Sequence, residues 1–323
     1  MRLLVTGGFG FIGSAFVRLA IMRGHEIAVI DKMTYAADLA NVSEEARSSI
    51  VISHLDIANK EQLEKFLDSH AAFDFIINFA AESHVDRSIV NGLPFVQSNI
   101  TGVVNLLECL KKTPTTKLLQ VSTDEVYGSI TEGSWSETFP LNPRSAYSSS
   151  KASAELFCKA YENTHNSHVW ITRCANNFGP RQSAEKLIPT VIRAILNHER
   201  VPVYGDGKNR REWIYVDDHA IAILKIIESN TTSSKIYNLG GTELSNIDLV
   251  NKILKIMRAN LSDVNFVEDR KGHDFRYSVD DSLFEREFGE IMSSNFETHL
   301  ESTVSWYLNN QDWLARSFLK VST

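Results

Sequence analysis

Thr6-Gly7-Gly8-Phe9-Gly10-Phe11-Ile12-Gly13 decides how this chain folds. It follows a short apolar run at 3–5 and opens a helical stretch at 13–23. Glycines at 7, 10 and 13 fit G-x-x-G-x-x-G. That spacing lets backbone N–H groups and a helix N-terminus meet a pyrophosphate, while the last glycine permits close helix–strand contact. Alone, the turn is equally compatible with a purely structural strand-to-helix connection. Asp31 ends a second apolar run about 20 residues on, where a carboxylate accepts from both ribose hydroxyls. The same charge repels a 2′-phosphate and so favours NAD over NADP, although Lys32 follows it directly. Asp56-Ile57, after a third run, is either an adenine contact or a solvated strand end. The turn residues Gly7, Gly10, Phe11, Ile12 and Gly13, with Asp31, Asp56 and Ile57, are therefore candidate cofactor contacts.

Outward from the turn, short β-rich runs at 3–5, 27–30, 50–54, 75–79, 117–122 and 169–173 alternate with amphipathic stretches at 13–23, 60–69, 100–112 and 147–163. Several runs are apolar throughout, as in strands buried on both faces. The pattern predicts a Rossmann-type α/β fold, a doubly wound parallel sheet with right-handed crossovers. Residues 1–175 are expected to form the dinucleotide-binding domain, with about 212–240 returning to it. Residues 176–323, punctuated by Gly179-Pro180, Pro202 and Gly205-Asp206-Gly207, are expected to form mainly a smaller substrate lobe. The 323 residues are 43% hydrophobic and 23% charged, an ordinary globular balance. With 33 Lys and Arg against 40 Asp and Glu, the net charge is −7, which argues against nucleic-acid and anionic-membrane partners. No apolar run approaches the roughly 20 residues of a membrane span, and Met1–Val5 lacks a secretory pattern. Cys109, Cys158 and Cys174 are odd in number and form no C-x-x-C pair, so a reduced cytoplasmic location and no metal are expected.

Tyr147-Ser148-Ser149-Ser150-Lys151 places a phenol and an ammonium on one helix face. A nearby Lys⁺ lowers a Tyr pKa and makes a usable base, though an isolated Y-x-x-x-K is usually an ordinary surface pair. Ser122, at the end of the fifth run, offers a hydroxyl to the same reacting oxygen. Asp124-Glu125 alone reads as a solvated turn; beside an active-site strand it offers one acid and one base.

The glycine turn, Asn78-Phe79-Ala80-Ala81, Ser122-Thr123 and Tyr147-x-x-x-Lys151 together resemble the extended short-chain dehydrogenase/reductase superfamily. Ala80-Ala81-Glu82-Ser83-His84-Val85-Asp86-Arg87-Ser88 and Ser122-Thr123-Asp124-Glu125-Val126-Tyr127-Gly128 are similar to nucleotide-sugar 4,6-dehydratases, most of all the dTDP-glucose 4,6-dehydratase group. Later markers, Asn176-Asn177-Phe178-Gly179-Pro180, Lys186-Leu187-Ile188-Pro189, Arg211-Glu212-Trp213 and Asp269-Arg270-Lys271-Gly272-His273-Asp274, keep the same order; Lys271 stands where that group usually has Pro.

The resemblance implies tightly bound NAD, regenerated each turnover, and a catalytic set of Thr123, Asp124, Glu125, Tyr147 and Lys151. Tyr147, poised by Lys151 and assisted by Thr123, serves oxidation at C4. Glu125 then takes the C5 proton, Asp124 protonates the departing C6 hydroxyl, and hydride returns to C6. Further NAD contacts are implied for Lys32, Thr34, Ala80, Ala81, Ser83, Ser98, Tyr147, Lys151 and Asn177. The nucleotide-diphosphate sugar is expected to meet Ser83, His84, Thr123, Asn176, Leu187, Pro202, Val203, Tyr204, Asn246 and His273, with Lys186, Arg211 and Arg270 on its diphosphate. A homodimer is implied through helices carrying Val104, Leu107, Leu156 and Phe157, which otherwise simply cover the sheet. The same reaction on a UDP- or GDP-linked sugar, a 4-epimerase and a silent nucleotide-binding regulator remain alternatives.

Overall fold

The structure, a computed structural model, describes residues 1–229, 235–260, 263–269 and 273–322. Seven strands form one sheet: β1 (Arg2–Thr6), β2 (Glu26–Asp31), β3 (Val51–His54), β4 (Phe75–Asn78), β5 (Lys117–Thr123), β6 (Val169–Cys174) and β10 (Ile236–Leu239). Their spatial order is β3-β2-β1-β4-β5-β6-β10, and every neighbouring pair is parallel. Alternation along β1 sends Leu3 and Val5 into the core on one face and Leu4 into the core on the other. One face is covered by the helices Phe11–Met22 and Val216–Glu228, the other by Lys60–Asp68, Gly102–Leu110 and Ala146–His165. The order of strands reverses between β1 and β4, leaving a crevice at their carboxyl ends where such sheets bind ligands.

A buried polar ladder crosses the sheet beneath that crevice. Thr6 Oγ1 donates to Asn78 Oδ1 (2.5 Å), Asn78 Nδ2 donates to Gln120 Oε1 (2.7 Å), and Gln120 Nε2 donates to the Val121 carbonyl (2.9 Å). The expected helix at 100–112 begins earlier, because a π-helical turn, Val96–Thr101, leads into Gly102–Leu110. Its inward member, Asn99, accepts from the Glu82 N–H (2.8 Å) and donates to the Glu82 carbonyl (2.9 Å) and to Ser150 Oγ (2.8 Å). Those bonds give the wider turn a local purpose, as π-turns often have.

The remaining strands build a second layer over the crevice. β7 (Asn176–Phe178), β9 (Arg210–Tyr215) and β11 (Thr242–Ser245) form a three-stranded sheet, and β8 (Val201–Tyr204) pairs in parallel with β12 (Val264–Val267). Ile188, Val191, Leu249, Ile253, Leu300 and Val304 fill the core among the helices Leu187–Leu196, Asn246–Met257 and Phe296–Asn309. Among the described residues no helix is long and apolar enough to cross a membrane, and all three cysteines are free and buried.

Candidate active site

The glycine turn joins β1 to the helix Phe11–Met22, whose N-cap, Gly10, makes no side-chain capping bond and whose first turn holds no acid. Its N-terminal N–H groups thus face the crevice without an intramolecular carboxylate competing for them. Gly7 has φ +68°, and a Cβ there would lie 2.7 Å from the Ala80 backbone N; at Gly13 it would strike the Gly7 carbonyl oxygen. No side chain fits at either position. Asp31 is held at the tip of β2, where its two oxygens accept from the N–H groups of Phe9 (2.9 Å) and Met33 (2.8 Å); burial raises its pKa. Lys32 pairs with Asp56 (2.7 Å). A cavity of about 250 Å³ is lined by Gly7, Gly10, Phe11, Ile12, Gly13, Ala81, Ser83, Tyr147, Lys151, Asn176 and Asn177. Asp31, Lys32, Thr34, Asp56, Ile57, Ala80 and Ser98 lie outside that lining. Asn177 faces it with an engaged amide: Oδ1 meets His219 Nδ1 (2.8 Å) and Nδ2 donates to the Ala175 carbonyl (3.0 Å).

The far end of this cavity brings the expected catalytic residues together: Thr123, Asp124, Glu125, Tyr147 and Lys151 all line it. β5 ends at Thr123, which caps the 3₁₀ turn Asp124–Tyr127 by accepting from the Glu125 N–H (3.3 Å). Thr123 Oγ1 donates to Asp124 Oδ1 (3.1 Å), while Asp124 Oδ2 is buried without a hydrogen-bond partner. Burial first, then the charges of Glu125 and Glu212, push the Asp124 carboxyl well above its ordinary value. These causes favour the neutral form of the Asp124 carboxyl, the form that can donate a proton. Glu125 is only half-buried.

Tyr147 and Lys151 sit in the first turns of the helix Ala146–His165, whose start is pinned by a capping box. Ser145 Oγ accepts from the Ser148 N–H, and Ser148 Oγ from the Ser145 N–H, both at 3.0 Å. Lys151 Nζ donates to the Val121 carbonyl (2.6 Å), and burial lowers its pKa to about 8. The expected lowering of the Tyr147 pKa by Lys151 does not hold in this state. Burial, followed by the Glu125 carboxylate, pushes the phenol well above its ordinary value, against a hydrogen bond with Thr123. The Lys151 ammonium is itself buried and donates to the Val121 carbonyl.

A second cavity of about 450 Å³ opens beside the first. Ser83, His84, Asn176, Lys186, Leu187, Pro202, Val203, Tyr204, Arg211, Asn246 and His273 line it, and Glu125, Ser83, Asn176 and Lys186 border both cavities. Thr123 borders only the first, and Arg270 lies outside the described residues. Arg211 donates to the carbonyls of Arg210 (2.7 Å) and Asp274 (2.9 Å), with its guanidinium 4.3 Å from the Tyr277 ring centre. Lys186 Nζ donates to the Ser83 carbonyl (3.3 Å). Among the lining residues that escaped the sequence reading are Glu185, Arg144 and Tyr277. Glu185 borders both cavities, 3.6 Å from His84 Nε2 and 3.5 Å from Arg87, and burial raises its pKa. Its only signal was adjacency to Lys186. Arg144 pairs with Asp274 (2.7 Å), and Tyr277 donates to the same carboxylate (2.7 Å); neither stands in a spacing that carries chemistry.

A doubly wound parallel sheet, a glycine turn at its reversal point and a Tyr-x-x-x-Lys helix beside the crevice define a Rossmann-type protein of the extended short-chain dehydrogenase/reductase class. The family model described as GDP-mannose 4,6 dehydratase matches residues 4–303. The chain belongs to that family. A dTDP-glucose 4,6-dehydratase of Streptomyces niveus is 40% identical over 321 residues, covering 97% of this chain and 94% of the relative. A crystal structure of a dTDP-glucose 4,6-dehydratase from Streptomyces venezuelae with NAD bound superposes with a TM-score of 0.92 at 43% identity, covering 97% of this chain and 98% of that one. A UDP-glucose 4-epimerase from Thermotoga maritima shares the fold at a TM-score of 0.89 but only 26% identity, covering 96% of this chain and all of the other.

Proposed function

We propose that the protein is an NAD-dependent nucleotide-sugar 4,6-dehydratase, a hydro-lyase that converts dTDP-glucose to dTDP-4-keto-6-deoxyglucose. One observation carries the reading: adjacent carboxyl groups differ in environment beside Tyr147 and Thr123, Asp124 buried with its pKa raised, Glu125 half-buried. A 4-epimerase needs no such acid–base pair, whereas loss of water across C5–C6 needs both members. The side-chain-free cradle at Gly7 and Gly13 and the uncapped helix N-terminus fit the pyrophosphate of NAD. Phe11 and Ile12 flank it, Asp31 suits the ribose, and Ala81, Ser83 and Asn177 lie toward the reacting end. The dinucleotide lobe then comprises residues 1–175 with about 212–240, and the substrate lobe most of the remainder.

Bound NAD supplies the hydride acceptor for oxidation at C4 and the donor for reduction at C6. Tyr147 takes the C4 hydroxyl proton, with Thr123 hydrogen-bonded to it and the Lys151 ammonium stabilising the phenolate. Glu125 removes the C5 proton, made acidic by the C4 ketone, as Asp124 donates its proton to the C6 oxygen and water leaves. Glu125 then returns a proton to C5. The second cavity receives the nucleotide diphosphate, with Lys186 and Arg211 toward the phosphates and Tyr204, Asn246 and His273 toward the base.

Exposed Leu156 and Phe157 on the helix Ala146–His165, with Val90 and Leu93, support a homodimer, whereas Leu107 is wholly in the core. The free, buried cysteines suit a cytoplasmic enzyme.

The test is product analysis of the purified protein, without added cofactor, on dTDP-glucose, UDP-glucose, UDP-N-acetylglucosamine and GDP-linked analogues. The highest kcat/KM for a 4-keto-6-deoxy product is expected with dTDP-glucose. A 4-epimer in its place would sink the lyase reading, and turnover of another nucleotide alone would reassign the substrate. Asp124→Asn and Glu125→Gln should still oxidise C4, visible as reduced nicotinamide absorbance, while dehydration slows by about 10²–10⁴-fold.

A further inference from the structure

Directly behind the catalytic residues lies a buried ion pair that no step of this chemistry uses. Glu155, one turn beyond Lys151 on the helix Ala146–His165, and Arg173, on β6, are both essentially without solvent contact. Glu155 Oε1 accepts from Ser122 Oγ (2.5 Å), and Oε2 accepts from Arg173 Nε (3.0 Å) and NH2 (2.7 Å). Arg173 NH1 donates to Tyr127 Oη (2.5 Å), which in turn donates to Asn238 Oδ1 (2.9 Å) on β10. Ser122 immediately precedes Thr123, and Tyr127 closes the turn that begins at Asp124. One carboxylate, on the helix that carries Tyr147 and Lys151, thus holds Ser122 directly and Tyr127 through Arg173, on either side of Thr123–Glu125. Stability does not explain such a pair, since well-packed apolar side chains commonly do as well in a core.

We propose that Glu155 is a positioning residue that fixes the Tyr147–Lys151 helix against the Thr123–Glu125 segment, setting the spacing between the oxidation and elimination groups. The proposal rests on the function assigned above. Its charge also acts on Lys151. The ammonium faces the Val121 carbonyl from β5, the Cys174 thiol from β6, and Cys158 and Glu155 from its own helix; Tyr147, Asp124 and Glu125 share its cavity. Burial lowers Lys151 to about 8, and Glu155 opposes that lowering. Without this charge, the ammonium that stabilises the Tyr147 phenolate is lost at lower pH.

The experiment compares wild type, Glu155→Gln and Glu155→Asp. Lys151 titration is followed by NMR of protein labelled with ¹³C at lysine Cε, its resonance assigned with Lys151→Met. In Glu155→Gln the titration should move down by about one pH unit. In Glu155→Asp it should stay near wild type, because the charge is kept while its reach is shortened. For both variants kcat on dTDP-glucose should fall by roughly 10–100-fold, as small misplacements of catalytic groups do. KM should be unchanged, and in Glu155→Gln alone the alkaline limb of the kcat profile should shift down. A folded Glu155→Gln protein whose Lys151 titrates as in wild type would overturn the proposal. If that variant fails to fold, Glu155→Asp decides, and wild-type kcat in it overturns the proposal. Wild type inactive on every nucleotide sugar would refute the functional reading, leaving the Lys151 titration to decide the role of Glu155.

Discussion

Asp124 carries a stability consequence along with its chemical one. Burial raises its carboxyl, so the folded protein keeps a proton that the unfolded chain releases near pH 4. The folded state is therefore favoured less as pH rises from about 4 toward the folded-state value. Asp124→Asn removes that penalty. Its Tm at neutral pH should exceed wild type by about 1–2 °C, corresponding to about 1 kcal/mol in a chain of this size, and the difference should vanish near pH 4. Calorimetry at the two pH values checks this; an equal shift at both would refute it. The same variant is expected to lose dehydration, the familiar exchange of stability for function at an active site. Asp124 and Glu125 were legible as a pair because they follow a strand end. Which of them is the acid came from the family resemblance; the physical cause was not legible, since burial by distant segments and the charge of Glu212 supply it.

The buried ladder Thr6–Asn78–Gln120 ties the carboxyl ends of β1 and β4 to the middle of β5 under the crevice. Asn78→Ala leaves Thr6 and Gln120 without their buried partners and should destabilise the protein by about 2 kcal/mol in urea unfolding. A loss below about 0.5 kcal/mol would mean that water or a shifted side chain replaces the amide. Element boundaries were readable where a single period held throughout: 117–122 became Lys117–Thr123, and 147–163 became Ala146–His165. The π-turn Val96–Thr101 was hidden, because its cause is the bonding of Asn99 to Glu82 and Ser150, which are remote in sequence. The polar ladder was equally invisible: single polar residues inside apolar strands give no sign of facing one another.

Leu156 and Phe157 are 59% and 41% exposed on the helix that carries Tyr147, and Val90 (88%) and Leu93 (74%) add to the uncovered apolar surface. Leu156→Arg with Phe157→Glu should convert the expected dimer to a monomer in sedimentation velocity without unfolding it; a wild-type monomer, or a doubly substituted dimer, would refute this interface. The path of the chain has a different consequence. It leaves the large sheet after β6, builds β7, β8 and β9, returns to add β10 beside β6, and departs again. A polypeptide ending at residue 175 would keep the glycine turn but lose Asn177 and β10, and β6 would become a bare margin. Its Val169–Cys174 backbone, all six residues buried, would expose N–H and C=O groups to any other extended chain. A shortened version made to isolate the cradle should therefore precipitate or pair with itself, and one that also carries 212–240 should stay in solution.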